Sequence, residues 1–151
     1  MEIIEYQKQY KKDFIRLNTA WITKYFTMEE ADHEILENVD ALVNAGSMVF
    51  FAIEANTVLA TCMTVPKDDD TWEICKLAAD DRCKGRGAGS AVFQACMDYA
   101  ISHGAKKLTL VSNHILKPAL HIYEKFGFSP IEFKNTEYSR GDVEYEYRIN
   151  A

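Results

Sequence analysis

The chain has 151 residues, of which 48% are hydrophobic and 26% charged, with a formal net charge of −6. This composition is too apolar for a disordered protein, and the length suits a single domain over residues 1–151. The acidic balance argues against nucleic acid as a partner, because phosphate-backbone binding relies on clustered Lys and Arg. The acidic N-terminus is unlike a signal peptide, and no apolar run approaches about 18 residues, so we expect a cytoplasmic protein without a membrane partner.

In chain order, the sequence predicts a helical first third followed by alternating strands and helices. The predicted elements are a helix over 10–26, one or two short helices within 28–43, strands over 48–53, 58–65 and 72–79, a helix over 87–103, a strand over 107–112, a short helix over 118–126, and strands over 128–133 and 143–149. The strand–helix–strand order over 72–112 predicts a parallel pair, and its neighbours favour antiparallel pairing. The fold class is therefore α/β with a mixed sheet.

The four cysteines do not suggest a metal site. Cys62, Cys75, Cys83 and Cys96 form no C-x-x-C pair and have no histidine partner at zinc spacing. We therefore expect free thiols and no metal.

Three glycines at alternating positions, in Lys84-Gly85-Arg86-Gly87-Ala88-Gly89, lie between a predicted strand and a predicted helix. Glycine lets the backbone approach a ligand closely, and a helix start directs N–H groups and a positive dipole end at the same point. The pattern is typical of a phosphate-binding turn. A dinucleotide fingerprint is excluded because its third glycine position, counted from Gly85 or Gly87, holds Ser90 or Val92, and no Walker A run occurs.

The stretch from Trp72 to Pro130 resembles the acetyl-CoA-binding half of the GNAT superfamily of N-acetyltransferases. The glycine turn fits the family signature [Q/R]-x-x-G-x-[G/A] except at its first position, which is Lys84. Glu73 stands twelve residues before Gly85, where the family commonly carries a strand glutamate. Ser112-Asn113 and the segment 119–128 resemble the family's asparagine and its A-x-x-x-Y-x-K-x-G-F motif.

The resemblance implies a mixed, mostly antiparallel twisted sheet with a central parallel, splayed pair and about four flanking helices. It implies acetyl-CoA as cosubstrate, with three groups of residues near it. The pyrophosphate would lie on the turn formed by Lys84, Gly85, Arg86, Gly87, Ala88, Gly89 and Ser90. The pantetheine arm would lie along Leu77, Ala78 and Ala79, with Asn113 nearby.

The implied reaction is acetyl transfer to a primary amine by direct attack in a ternary complex. An alkyl ammonium must first lose a proton, which costs roughly 4 to 5 kcal/mol at pH 7. Glu73 is the predicted base, directly or through a water, and Tyr123 the predicted proton or hydrogen-bond donor to the departing thiolate. In the family, the segment holding Trp21, Tyr25 and Phe26 walls the acceptor site. Arg140 is a further candidate for binding an acceptor carboxylate.

Two other interpretations stay open. The first is a catalytically silent acyl-CoA-binding or sensing module, in which Glu73 and Tyr123 face away from the ligand. The second is an interaction domain that binds no CoA. The sequence also leaves open an amino acid, polyamine, antibiotic-like amine or protein N-terminus as acceptor, an acyl group longer than acetyl, and a homodimer, which is common in the family.

Overall fold

The computed structural model describes residues 1–83, 85–134 and 139–149, and within them one sheet carries helices on both faces. Its strands are β1 (Glu2–Glu5), β2 (Met48–Glu54), β3 (Thr57–Pro66), β4 (Thr71–Ala79), β5 (Lys107–Ser112), β6 (Ser129–Ile131) and β7 (Val143–Arg148). The α-helices are α1 (Lys11–Tyr25), α2 (Glu30–Glu37), α3 (Val39–Asn44), α4 (Ala88–Ser102) and α5 (Lys117–Lys125). None of the described helices is long and apolar enough to cross a membrane.

The strands lie in the order β1-β2-β3-β4-β5-β7-β6. Every neighbouring pair is antiparallel except β4 with β5, which is parallel. This confirms the predicted α/β class with a mostly antiparallel sheet and one central parallel pair. The described α-helices number five rather than about four, since the 28–43 region divides into α2 and α3.

Both edges of the sheet differ from the sequence prediction. The edge strand β1 was not predicted, because the four residues Glu2–Glu5 are too few to show an alternation of apolar and polar side chains. In the structure they are mostly exposed. The strand forms by pairing with β2. At the other edge β6 covers three residues instead of 128–133. Pro130 lacks the N–H that a longer ladder would use, which suits a short edge strand.

Two apolar cores hold the helices on the sheet. The first lies under α4 and α5 and includes Phe50, Cys62, Val92, Phe93, Cys96 and Leu108. The second lies under α1, α2 and α3 and includes Phe14, Leu36, Val39, Phe51 and Met63. The central strands β4 and β5 are therefore covered by helices. The ends of several helices converge near the C-terminal ends of these two strands.

The parallel strands separate after three residue pairs, Thr71–Glu73 with Lys107–Thr109. On its other side β4 has an irregularity against β3, where the register shifts between Thr61 and Met63. Lys76 lies in this irregular stretch with φ +54°, a conformation that is rare for a residue with a side chain. A β-bulge bends its strand and re-aims side chains. This bend positions the site described next.

Candidate active site

A cavity of about 620 Å³ lies where β4 and β5 diverge. Residues 74–79 of β4 and residues 111–113 at the end of β5 form part of its wall, and the glycine turn with the start of α4 forms another part. The first turns of α5, the end of α1 and the loop residues Arg140 and Gly141 complete it. One cavity therefore joins a glycine-rich end, a strand edge and an aromatic end.

The glycine-rich end presents backbone N–H groups. Gly87 is the N-cap of α4 with φ +77°, and the N–H of Ala91 donates to the Gly87 carbonyl at 3.0 Å. The first-turn N–H groups of Ala88, Gly89 and Ser90 consequently have no partner within the helix. All three residues line the cavity, as do Gly85 and Gly87. A positive helix end with such donors is suited to bind an anion.

Two of the predicted phosphate-binding residues differ from the rest. Lys84 lies outside the described residues. Arg86 does not line the cavity: its N–H donates to the Cys83 carbonyl at 3.1 Å, and its guanidinium pairs with Glu54. Five of the seven predicted turn residues therefore line the cavity. The Arg86 side chain pairs with Glu54 instead.

A lysine that the sequence interpretation did not select lies at this end. The Nζ of Lys125 is 3.5 Å from the Ser90 hydroxyl. Lys125 belongs to the segment 119–128, which resembles the family motif A-x-x-x-Y-x-K-x-G-F. The lysine of this motif could therefore have been predicted to lie near the phosphate-binding turn. Its charge adds a cation beside the first turn of α4.

The strand edge consists of Leu77, Ala78 and Ala79, which all line the cavity. On one side Ala78 pairs with Thr61 and Ala79 with Ala60 of β3. Toward β5 the described ladder has already ended at Glu73. The backbone groups on that side consequently face the space between the strands, where a ligand can pair with them.

Asn113 lines the cavity, but its amide holds a loop. The Nδ2 donates to the carbonyl of Arg140 at 2.6 Å, and the Oδ1 accepts from the N–H of Ile115 at 3.0 Å. The predicted contact with pantetheine would therefore compete with these bonds, and Asn113 is better placed to position Arg140.

Tyr123 projects from α5 into the cavity wall with only 7% of its surface exposed. Burial raises the pKa of its hydroxyl above the usual value near 10, against a smaller lowering by a hydrogen bond with Ser112. Its ring packs on Phe93, with centroids 5.4 Å apart. The hydroxyl is therefore held in place and protonated at neutral pH, as a donor must be.

Glu73 is not among the lining residues. Its carboxylate lies 4.0 Å from the ammonium of Lys67, and its side chain is largely buried. Side chains two residues apart on a strand share a face, and Cys75, which lines the cavity, is two residues further along. Glu73 thus points to the same side of the sheet as this wall, roughly 7 Å away along the strand.

The aromatic end contains Trp21, Tyr25 and Phe26, all three of which line the cavity. Lys76 and Arg140 line it as well. Lys76 was not selected from the sequence, because a lone lysine in an apolar strand is normally solvated. Its inward position follows from the bulge in β4.

Asp32 of α2 joins these two cations. Its Oδ1 accepts from Lys76 at 2.7 Å, and its two oxygens accept from the two Nη atoms of Arg140 at 2.6 and 2.7 Å. Asp32 is fully buried, and burial raises its pKa, but the hydrogen bonds from Arg140 and Lys76 outweigh burial and hold the pKa well below its usual range. Asp32 is therefore ionised at neutral pH.

Two histidines close in sequence to lining residues, His114 and His121, do not line the cavity themselves. His114 is exposed and pairs with Asp142, and His121 is exposed on α5. Among the described residues there is no cluster of three or more His, Cys, Asp or Glu side chains that could hold a metal ion.

A mixed sheet that opens at its one parallel pair, followed by a glycine turn at a helix start, defines an acetyltransferase-type α/β fold. Residues 12–128 match the model described as the acetyltransferase (GNAT) family. The chain belongs to this family, which confirms the resemblance identified from the sequence.

Curated relatives are distant and differ in length. N-acetylaspartate synthetase from Homo sapiens is 25% identical over 84 residues, which are 55% of this chain and 28% of the human protein. The chain therefore spans less than a third of that relative. A Bacillus subtilis (strain 168) protein, named as a candidate [ribosomal protein bS18]-alanine N-acetyltransferase, is 26% identical over 126 residues, 82% of this chain and 77% of that one.

Solved structures share the fold over the whole chain. An acetyltransferase of the GNAT family from Staphylococcus aureus Mu50 has a TM-score of 0.89 at 17% identity, covering 99% of both chains. The structure of yncA from Salmonella typhimurium, solved with its cofactor acetyl-CoA, has a TM-score of 0.80 at 14% identity, covering 100% of this chain and 95% of that one.

Proposed function

We propose that the protein is an N-acetyltransferase that transfers the acetyl group of acetyl-CoA to a primary amine of a small molecule or peptide. The observation that carries this proposal is that one cavity is lined by the glycine turn, the strand edge and Tyr123. Membership of the GNAT family supports the class of reaction. A solved structure of the same fold with acetyl-CoA supports the cosubstrate.

The residues present fit acetyl-CoA. The N–H groups of Ala88, Gly89 and Ser90 suit the pyrophosphate, and Lys125 adds positive charge beside them. The edge of β4 offers backbone groups to the amide-containing arm. When bound, acetyl-CoA supplies an activated acetyl thioester. In the proposal, the β4 edge polarises the thioester carbonyl, which is an oxyanion-hole role.

Tyr123 acts in the proposal as a hydrogen-bond donor to the departing sulfur. A thiol has an ordinary pKa of about 8.5, below that of a tyrosine whose pKa is raised. Complete proton transfer from Tyr123 to the thiolate is therefore uphill. A hydrogen bond that shortens as charge develops on sulfur avoids this cost and still lowers the barrier.

Glu73 acts in the proposal through an ordered water that takes the proton from the incoming ammonium. This indirect role matches the position of Glu73, which lies two residues before the lining residue Cys75 on the same face of β4. The water accepts the proton of the ammonium and releases one of its own to the Glu73 carboxylate, which is protonated at the end of the step.

A second function is binding of an acyl-CoA without transfer. It is favoured by one observation, the position of Glu73 outside the cavity wall and beside Lys67. In this alternative the cavity holds the ligand and no described side chain removes the proton from an amine.

Calorimetric titration of the protein with acetyl-CoA and with free CoA, followed by an amine screen with thiol detection, separates these functions. Micromolar binding with acetylation of an amine supports the proposed transferase. Binding without transfer to any amine supports the silent module. No binding of either ligand overturns both and favours an interaction domain.

A further inference from the structure

The aromatic end of the cavity is built by the last turn of α1. Trp21 and Tyr25 stand four residues apart, so they lie on the same side of this helix. Phe26 ends the helix, and its N–H donates to the carbonyl of Ile22 at 2.7 Å. The rings of Tyr25 and Phe26 lie 6.4 Å apart and are tilted by 54°. One short segment of the chain therefore supplies three rings to the cavity wall.

Core packing accounts for only one of these rings. Among the described residues, Trp21 packs against the core under α1, whereas Tyr25 and Phe26 belong to neither apolar core. Tyr25 is 49% exposed, although it is a large apolar side chain. Large apolar groups that lie outside the core and line a cavity are typical of a ligand-binding surface. The two rings are therefore available to a ligand.

The cations at this end are already neutralised. Lys76 and Arg140 both pair with Asp32, and Arg140 also pairs with Glu29. The Lys76 side chain is only 3% exposed, so a ligand has almost no access to it. The structure therefore gives no support to the sequence-based prediction that Arg140 binds an acceptor carboxylate.

The acidic residues in the wall are matched in the same way. Asp80 accepts two hydrogen bonds from the Arg82 guanidinium and lies 3.6 Å from Arg16. Asp81 lies 3.8 Å from Lys24. A polycationic acceptor would have to compete with these existing ion pairs. Charge is therefore a poor basis for selecting the acceptor, and the aromatic rings are the better one.

We propose that the acceptor is a small primary amine that carries an aromatic ring on a short alkyl chain. This inference rests on the proposed transferase function, because it concerns the acceptor of that reaction. The acceptor ring packs against Tyr25 and Phe26, and the amine extends through the same cavity toward Leu77 on the β4 edge. Aromatic pairs gain from their ring geometry as well as from burial. A polyamine or a sugar amine would place polar groups against the rings without partners.

The test compares amines with the unmodified protein and acetyl-CoA. Phenethylamine and tryptamine carry an aromatic ring, cyclohexylethylamine carries an apolar ring that is not aromatic, and ethanolamine, alanine and spermidine are polar or charged. Each kcat/KM is divided by the fraction of the amine that is unprotonated at the assay pH, so that differences in basicity do not decide the result.

We expect this corrected kcat/KM to be at least about tenfold higher for the two aromatic amines than for the polar and charged ones. Tenfold corresponds to about 1.4 kcal/mol, which the burial of a phenyl-sized group can supply. Phenethylamine should exceed cyclohexylethylamine at least about twofold, because only an aromatic ring gains from the geometry of ring contacts.

The opposite results are equally specific. An equal or higher value for ethanolamine, alanine, spermidine or cyclohexylethylamine overturns the aromatic acceptor and leaves the transferase intact. A higher value for the peptide alanyl-glycyl-glycine than for phenethylamine also overturns it, because this result indicates a protein N-terminus as acceptor. Acetyl-CoA binding with no acetylation of any amine removes the transferase function itself, and the inference falls with it.

Variants connect the preference to the two rings. Tyr25→Ala and Phe26→Ala should each lower the phenethylamine-to-ethanolamine ratio of kcat/KM at least about fivefold and leave CoA affinity within about twofold. Tyr25→Phe should keep the ratio, because the ring remains. The matched control is Phe133→Ala: Phe133 is 37% exposed and does not line the cavity, so the ratio should equal that of the unmodified protein. An unchanged ratio in both Tyr25→Ala and Phe26→Ala overturns the proposal. If neither variant folds, the comparison of amines with the unmodified protein decides.

Discussion

Tyr123 illustrates how a single side chain acquires its proposed role from its surroundings. An exposed tyrosine is already protonated at neutral pH, and burial at the cavity raises the pKa further. Ring contacts with Phe93 and Tyr145 restrict its motion. The residue is thereby suited to donate a hydrogen bond in a fixed direction, which is a property of its environment as well as its chemistry.

Tyr123→Phe should lower kcat about 10- to 100-fold and leave the affinity for CoA within about twofold, because the hydroxyl stabilises the departing thiolate and not the bound cosubstrate. Steady-state kinetics and calorimetry measure the two effects. Tyr147→Phe is the control, since Tyr147 packs against the same core but does not line the cavity. An unchanged kcat in Tyr123→Phe would contradict the donor role.

Glu73→Gln should lower kcat about 10- to 100-fold, because glutamine holds the water without accepting its proton. Steady-state kinetics with a saturating amine at a fixed pH measures this. Glu146→Gln serves as the control: Glu146 is a largely buried strand glutamate paired with Arg148, away from the cavity. If both variants behave like the unmodified protein, Glu73 has no part in proton removal.

At the scale of elements, the start of α4 shows why glycine is needed at one position in particular. Gly87 caps the helix with φ +77°, and within the described part of the chain a Cβ added there would meet no atom within 4 Å apart from its chain neighbours. Because Gly87 lines the cavity, we expect the added atom to extend into it. Gly104, beyond the other end of α4, also has positive φ and open surroundings, but it does not line the cavity.

Gly87→Ala should therefore weaken CoA binding about tenfold or more, by occupying space beside the N–H groups and straining the cap. Gly104→Ala should carry a similar backbone strain of about 1 kcal/mol and leave CoA affinity unchanged. Calorimetry and urea unfolding of the two variants separate binding from stability. Equal CoA affinities in the two variants would contradict the phosphate-binding role of the turn.

Across the whole molecule, the Asp32 cluster connects α2, β4 and the loop before β7. Ser139 strengthens this connection, since its N–H and hydroxyl donate to Glu29 at 3.1 and 3.2 Å. The loop that carries Arg140 is thus fastened to the helical first third of the chain. The assignment of residues 1–151 to one domain and the choice between monomer and homodimer stay predictions.

Asp32 should also make stability depend on pH. A carboxyl with a lowered folded pKa stabilises the protein above its ordinary pKa of about 3.9, and this contribution is lost as pH falls through the folded pKa. Asp32→Asn should cost about 3 to 5 kcal/mol at pH 7, because it leaves two buried cations without their shared carboxylate. It should also reduce the loss of stability on going from pH 5 to pH 2.

Urea unfolding between pH 2 and 7 measures this dependence. Asp40→Asn is the control, because Asp40 also accepts bonds from Tyr6 and Lys11 but is partly exposed. We expect its effect at pH 7 to be much smaller than that of Asp32→Asn. A pH dependence for Asp32→Asn that parallels the unmodified protein would show that Asp32 is not ionised within the cluster.

Local features made most of the fold predictable. The helix over 10–26 follows from apolar spacing and appears as α1, and β5 has the predicted bounds of 107–112. The edge strands β1 and β6 were less predictable, because they form by pairing with β2 and β7 and their side chains show no clear alternation. The phosphate turn could be identified because glycine spacing and a helix start are local, whereas the diversion of Arg86 to Glu54 joins residues 32 positions apart.

By itself the sequence determined the α/β class, the GNAT family and the glycine turn, because side-chain periodicity, glycine conformation and motif spacing are encoded over a few neighbouring residues. Only the tertiary structure decided the composition of the aromatic end. Lys76 and Arg140 reach Asp32 across 44 and 108 positions of the chain. Their meeting depends on the bend in β4 and on helix packing against the sheet, which no short segment specifies.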